Sequence, residues 1–167
     1  FNTLATDISG NSSEAKMKFT RNDFKIAIVG GIVAQIIFEA YAWLISPLLF
    51  GPELQPAKLV MGLFQKYLGI SITYPVAFGI HAFIGAIGFG LFTLLFYKLL
   101  NGRPILSGAI SGLILWFVAQ GILAPAMGRE FMMGFGAYIQ SSFIAHIGMA
   151  LIITLFIKWR LSIVRLS

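Results

Sequence analysis

The sequence predicts an all-α fold: a polytopic membrane protein, a four-transmembrane-helix bundle with one short interfacial helix. Three observations predict it. Of the 167 residues, 58% are hydrophobic and 11% are charged, where a soluble domain carries about 25% charge. Four runs (26–50, 74–97, 105–127 and 135–157) reach the roughly 20 apolar residues that cross a hydrocarbon layer. Inside these runs apolar and polar residues do not alternate, as strands of a membrane β-barrel must. The residues left over are too few to wrap four such helices in a soluble shell.

Taken in order, residues 1–23 form a polar N-terminal tail with Asn11, Ser12, Ser13 and Glu14. It lacks the charged-then-apolar order of a signal peptide. Starting at Phe1 rather than Met, the chain reads as processed, truncated or incomplete. Residues 24–160 then make a single transmembrane domain, and 161–167 a cytoplasmic C-terminal tail. Helix breakers fall at the span edges: Pro47 and Pro52 after the first, Pro75 opening the second, Gly102 and Pro104 before the third. Pro125 and Gly128 close the third, and Gly134 and Gly136 precede the fourth. The long connection 51–73 carries an amphipathic stretch from Pro56 to Gly69. There Leu59, Val60, Leu63 and Tyr67 share a face, away from Lys58, Gln65 and Lys66. It is too short to span and reads as a helix in the outer interface.

Orientation follows from the basic residues. They crowd into the N-terminal tail, the 98–104 turn and the C-terminal tail, while Lys58, Lys66 and Arg129 are the three on the other side. Positive charge is retained in the cytoplasm, so both termini are expected there. Trp159 and Tyr97 at one face, and Trp43 and Tyr74 at the other, suit aromatic belts. Gly108 and Gly112 form a GxxxG pair, and Ala82, Gly85, Ala86, Gly88 and Gly90 line the second span. Small residues let helices approach, either within the bundle or against another subunit.

Ionisable and polar groups inside spans are costly and therefore informative. They are few: Gln35, Glu39, His81, Gln120, Ser142 and His146, with Ser141 beside them. At about 1.5 Å per residue, Glu39, His81, Gln120 and His146 fall some 10–16 Å from the outer helix ends, on four different helices. Gln35 and Glu39 share a face, as do Ser142 and His146. Three readings stand. The cluster is a buried hydrogen-bond network, with Glu39 paired to a histidine or protonated. Or it is a ligand site, in which His81 and His146 are axial ligands of a b-type haem, or join Glu39 as a two-His, one-carboxylate metal site. The glycines beside His81 would leave room for a flat macrocycle. Or Glu39 and the histidines relay protons in a small transporter or channel. A second polar feature, Arg129-Glu130 after the Ala124-Pro125-Ala126 break, either closes the outer mouth of the cluster, binds lipid headgroups, or is an ordinary interfacial turn.

Much chemistry is excluded. The chain has no cysteine, hence no disulfide and no thiolate site. No GxSxG or phosphate-binding loop occurs, so no catalytic residue is assigned. The net charge of +6 is too sparse to form a nucleic-acid footprint.

From His81 onward the chain resembles the YagU-type inner-membrane proteins, a bacterial family. A histidine opens a Gly/Phe-rich span (His81-Ala82-Phe83 to Gly88-Phe89-Gly90). The third span runs from Ser107-Gly108 to Pro125-Ala126-Met127-Gly128, and a histidine lies early in the last (Ala145-His146-Ile147-Gly148). The likeness covers residues 75–160. Where it would place a histidine in the third span, this chain has Gln120. It implies a small bacterial inner-membrane protein and supplies no reaction. The expected function is a non-catalytic accessory or scaffold subunit of a larger, energy-converting membrane complex. Its expected partners are the lipid bilayer and other membrane subunits or further copies of itself.

Overall fold

The structure, a computed structural model, describes residues 18–51 and 54–164. Among these, all regular structure is helical. Four helices are long and apolar enough to cross a membrane: α1 (Arg21–Phe50), α3 (Tyr74–Leu99), α4 (Pro104–Ala126) and α5 (Ala137–Val164). The short α2 (Ala57–Leu68) fills the long connection, as its amphipathic pattern predicts. Each long helix runs antiparallel to its neighbours, in the ring α1–α3–α4–α5 and back to α1. One end of the bundle holds the start of α1 and the end of α5. The other, the roof end, carries α2.

Helix starts follow local chemistry. Thr20 and Asp23 make a capping box, each side chain bonding the other's backbone N–H, which begins α1 at Arg21 rather than near 26. Asp23 also takes a 2.9 Å ion pair from Lys98 at the end of α3. Pro104 sits in the first turn of α4. The fourth span starts at Ala137 rather than 135, because Met132, Met133, Gly134 and Phe135 form a left-handed turn with φ of 51°, 49°, 66° and 58°. Its helix continues to Val164, so residues 161–164, expected in the tail, are helical. Nothing in that stretch breaks the helix. The expected N-terminal tail lies outside the described residues up to residue 17.

Close approach fixes the pairs. A methyl on Gly31 would run into the Ala86 carbonyl oxygen, and one on Gly90 would lie 2.6 Å from the Ala27 carbonyl oxygen. On α4, methyls on Gly108 and Gly112 would lie 2.8 Å from atoms of Leu151 and Ile147. The GxxxG pair therefore faces α5 inside the bundle. Apolar packing continues through Ile26, Phe38, Leu94, Met149, Ile153 and Ile157. Tyr97, expected in an aromatic belt, is buried in this core, with its ring beside Gly102.

Three of the long helices loosen midway into π-helical stretches: Tyr41–Ile45 in α1, Ile84–Phe89 in α3 and Val118–Leu123 in α4. Such widened turns are frequent at functional sites. Two of these three border the cavity described next.

A cavity between two polar walls as the candidate functional site

Near the roof end the four long helices part around a cavity of about 250 Å³. Its lining is mostly apolar, with Phe38, Ile84, Phe89, Leu115, Leu123 and Met149 among the walls. Gln35, His81, Gln120 and His146 all reach it, one from each long helix. The sequence-derived cluster is therefore brought together in space, but around a cavity and not as one network.

One wall belongs to α1 and α3. Gln35 Nε2 donates to Glu39 Oε1 at 2.7 Å, and Trp43 Nε1 donates to Glu39 Oε2 at 3.1 Å. The i, i+4, i+8 spacing stacks these three side chains along one helix face. His81 Nδ1 lies 3.9 Å from Glu39 Oε1, close enough for an ion pair and too long for a hydrogen bond. Glu39 itself stands behind Gln35 and does not line the cavity. Two polar atoms on this wall, Gln35 Oε1 and His81 Nδ1, are buried with no hydrogen-bond partner. Such orphans are rare in folded proteins and call for an explanation.

The opposite wall belongs to α4 and α5. Gln120 Nε2 donates to Ser142 Oγ at 3.0 Å. His146 Nδ1 lies 2.8 Å from the Ser142 carbonyl oxygen. A carbonyl only accepts, so Nδ1 is the donor in this contact. The Gly112 crossing, where an added methyl would meet the His146 carbonyl oxygen at 2.9 Å, holds this turn of α5 against α4. The Phe89 ring packs 5.8 Å from the imidazole.

α2 roofs the cavity with Leu59, Val60 and Leu63. Its other contacts hold it there. Lys66 Nζ and Tyr67 OH both donate to the carbonyl oxygen of Ala126, the last residue of α4, at 2.6 and 3.0 Å. A terminal helix carbonyl has no acceptor role left within its own helix, so these two donors satisfy it. Ala57 and Val60 pack against Ala77 at the start of α3.

Of the outer turn, Arg129 lines the cavity at its mouth, whereas Glu130 turns toward Gly134. Sequence reasoning missed Tyr138, which also lines the mouth. The signal was present: Tyr138, Ser142 and His146 continue one four-residue stripe on α5. It also missed the bridge between α1 and α5, where Ser141 Oγ lies 2.8 Å from Tyr41 OH and 2.7 Å from Ser46 Oγ. Tyr41 and Ser46 looked like ordinary residues at the end of an apolar run.

The metal reading is not supported. Among the described residues no group of three or more His, Cys, Asp or Glu side chains is placed to hold a metal ion. Glu39 and His81 face each other, while His146 turns to its own helix on the other wall. The haem reading fits poorly as well. The space beside Gly85 is taken by the Gln35 amide, and Gly90 packs on Ala27, so these two glycines serve α1 and leave no slot there for a macrocycle.

The fold and site thus define a class: a helical bundle with membrane-length helices enclosing a small cavity with polar groups on two walls. Comparison of the chain with protein-family models, with curated proteins and with solved structures finds no match in any of the three.

Proposed function

We propose that the chain is an integral membrane protein that binds a small, mainly apolar molecule in the cavity between its four long helices. The observation that carries this reading is a mostly apolar cavity that Gln35, His81, Gln120 and His146 all reach, one from each long helix. A ligand with a hydrogen-bonding group would meet these polar side chains, and the apolar walls would hold its body. Membrane insertion is supported by inverted polarity. Ile36, Leu44 and Leu48 are 65%, 66% and 84% exposed, while Gln35, Ser111, Gln120, Ser141 and Ser142 are buried. In water that arrangement exposes a large apolar surface; in lipid it does not. The basic residues favour cytoplasmic termini, and the YagU-type resemblance favours a bacterial inner membrane.

A second reading, an accessory subunit of a membrane complex, draws on a shallow groove of about 160 Å³ between α1 and α5. Ile37, Ile144, Gly148 and Ile152 line it, and a methyl at Gly148 would meet nothing within 4 Å. The proton-relay reading has no comparable observation behind it.

The test is to purify the chain in mild detergent, extract it with organic solvent and identify bound molecules by mass spectrometry, alongside Ala119→Phe and Ala119→Leu. Ala119 lines the cavity, so a larger side chain fills it. The proposal expects a near-stoichiometric apolar compound from the wild type and none from the filled variants. Identical extracts from all three would reject it. A visible spectrum with a haem band would reject the assignment to a smaller ligand, and a stable companion protein of fixed stoichiometry would favour the accessory reading.

A further inference from the structure

A second hollow, of about 460 Å³, opens at the roof end beside the first. Gly51, Gln55, Lys58, Arg129 and Tyr138 line it. Arg129 and Tyr138 also line the inner cavity, so the two spaces meet at this pair. The outer one is the more open and polar, the inner one the less open and mostly apolar.

Among the described residues the charged side chains that line the outer hollow, Lys58 and Arg129, are of one sign. Among the described residues neither Lys58 nor Arg129 makes an ion pair; the two ion pairs found are His81–Glu39 and Lys98–Asp23. The nearby Lys66 is committed to the Ala126 carbonyl oxygen. Glu130, the neighbouring carboxylate, points away, with Oε2 2.6 Å from where a Gly134 methyl would stand. Polarity is therefore graded along one line. Two cations stand at the mouth, Leu59, Leu63 and Leu123 follow, and the Gln35 and His81 side chains lie at depth.

Resting on the binding reading above, we propose that the ligand is an anionic amphiphile: its acidic headgroup lies between Lys58 and Arg129, and its apolar body enters the cavity. A guanidinium presents a planar fork of donors that matches a carboxylate or phosphate, and an ammonium adds a point charge. The anion stays at the open, hydrated mouth, where holding it costs little desolvation. The chain behind it replaces contact with water or lipid by contact with Leu59, Leu63 and Leu123. The acid is either a free fatty carboxylate or the phosphate of a single-chain lipid, since both offer the same charge on the same kind of tail.

The experiment is equilibrium binding of radiolabelled oleate, lysophosphatidylglycerol and oleyl alcohol to the purified chain in neutral detergent. At least one anion is expected to bind roughly tenfold more tightly than the alcohol, as two partly exposed charge pairs allow. Preference for oleate identifies a carboxylate ligand, and preference for the lysolipid a phosphate. Lys58→Gln with Arg129→Gln should bring the anions down to the alcohol's affinity, the ratio of anion to alcohol being read within the variant. Lys58→Arg with Arg129→Lys should keep the preference. Anions that bind no better than the alcohol, or a preference that survives the double glutamine variant, overturn the headgroup site alone. If none of the three binds, or if Ala119→Phe binds all three as the wild type does, the cavity reading falls with it.

Discussion

Replacing Gly112 by Ala tests how α4 is held against α5. The added methyl would lie 2.8 Å from Ile147 Cα and 2.9 Å from the His146 carbonyl oxygen. Carbon atoms rest at about 3.5–4.0 Å, so the two helices must part by roughly 0.7 Å or more. Overpacking of this kind costs about 1–3 kcal/mol. The better helix propensity of Ala returns up to about 1 kcal/mol, leaving a net loss on the order of 1–2 kcal/mol. Gly148 is the control, on the facing helix, where a methyl meets nothing within 4 Å. Gly148→Ala should therefore gain up to about 1 kcal/mol. The assay is reversible unfolding in mixed micelles of dodecyl sulfate and a neutral detergent. Trp116 on α4 stands edge-on to Phe143 on α5 at 5.0 Å and reports this seam. Phe in place of Trp43 and Trp159 isolates its fluorescence. Equal stability of Gly112→Ala and Gly148→Ala would refute the close-approach reasoning.

Three further outcomes follow from the hydrogen bonds. Ser142→Ala removes the partner of the buried Gln120 amide and should cost about 1–2 kcal/mol, whereas adding Gln120→Leu should recover part of that loss; a double-mutant cycle with no coupling contradicts the pairing. Lys98→Met leaves the buried Asp23 with its Thr20 bonds alone and should cost about 1–3 kcal/mol, with faster amide exchange over residues 21–25, while Lys158→Met changes neither. Lys66→Met and Tyr67→Phe should each cost no more than about 1 kcal/mol, because either donor alone satisfies the Ala126 carbonyl oxygen. Together they should release α2, seen as faster exchange across 57–68; unchanged exchange in the pair would contradict the anchoring of the roof.

Much of the fold was legible because burial period and chain breaks speak through single residues. Pro104, Gly69 and the charge-free runs fixed where helices lie within a few positions. The capping box at Thr20 and Asp23 was also written in the sequence, but an apolar-run count starts only at Ile26. The left-handed turn at 132–135 was not legible, since Met and Phe rarely adopt it. In the site, the four-residue steps placed Gln35 with Glu39 and Ser142 with His146. The same steps could not say that the two pairs stand on opposite sides of a cavity. That separation depends on how α1 and α5 sit against α3 and α4, which spacing within one helix does not report. The glycines beside His81 misled for a related reason: a small residue marks a close approach without telling whether a ligand or another helix fills it, and here Gln35 does.

The account rests on the cavity being a binding chamber reached by small molecules. The chain has no cysteine, so Ala119→Cys and Ile122→Cys each introduce a single thiol on α4. Position 119 lines the cavity, and Ile122 is 51% exposed on the outside of the bundle. Both variants are treated with N-ethylmaleimide and then assayed for oleyl alcohol binding. The account predicts that alkylation at 119 proceeds and abolishes binding, and that alkylation at 122 leaves binding intact. A thiol at 119 that never reacts, or one whose alkylation leaves binding unchanged, would contradict it.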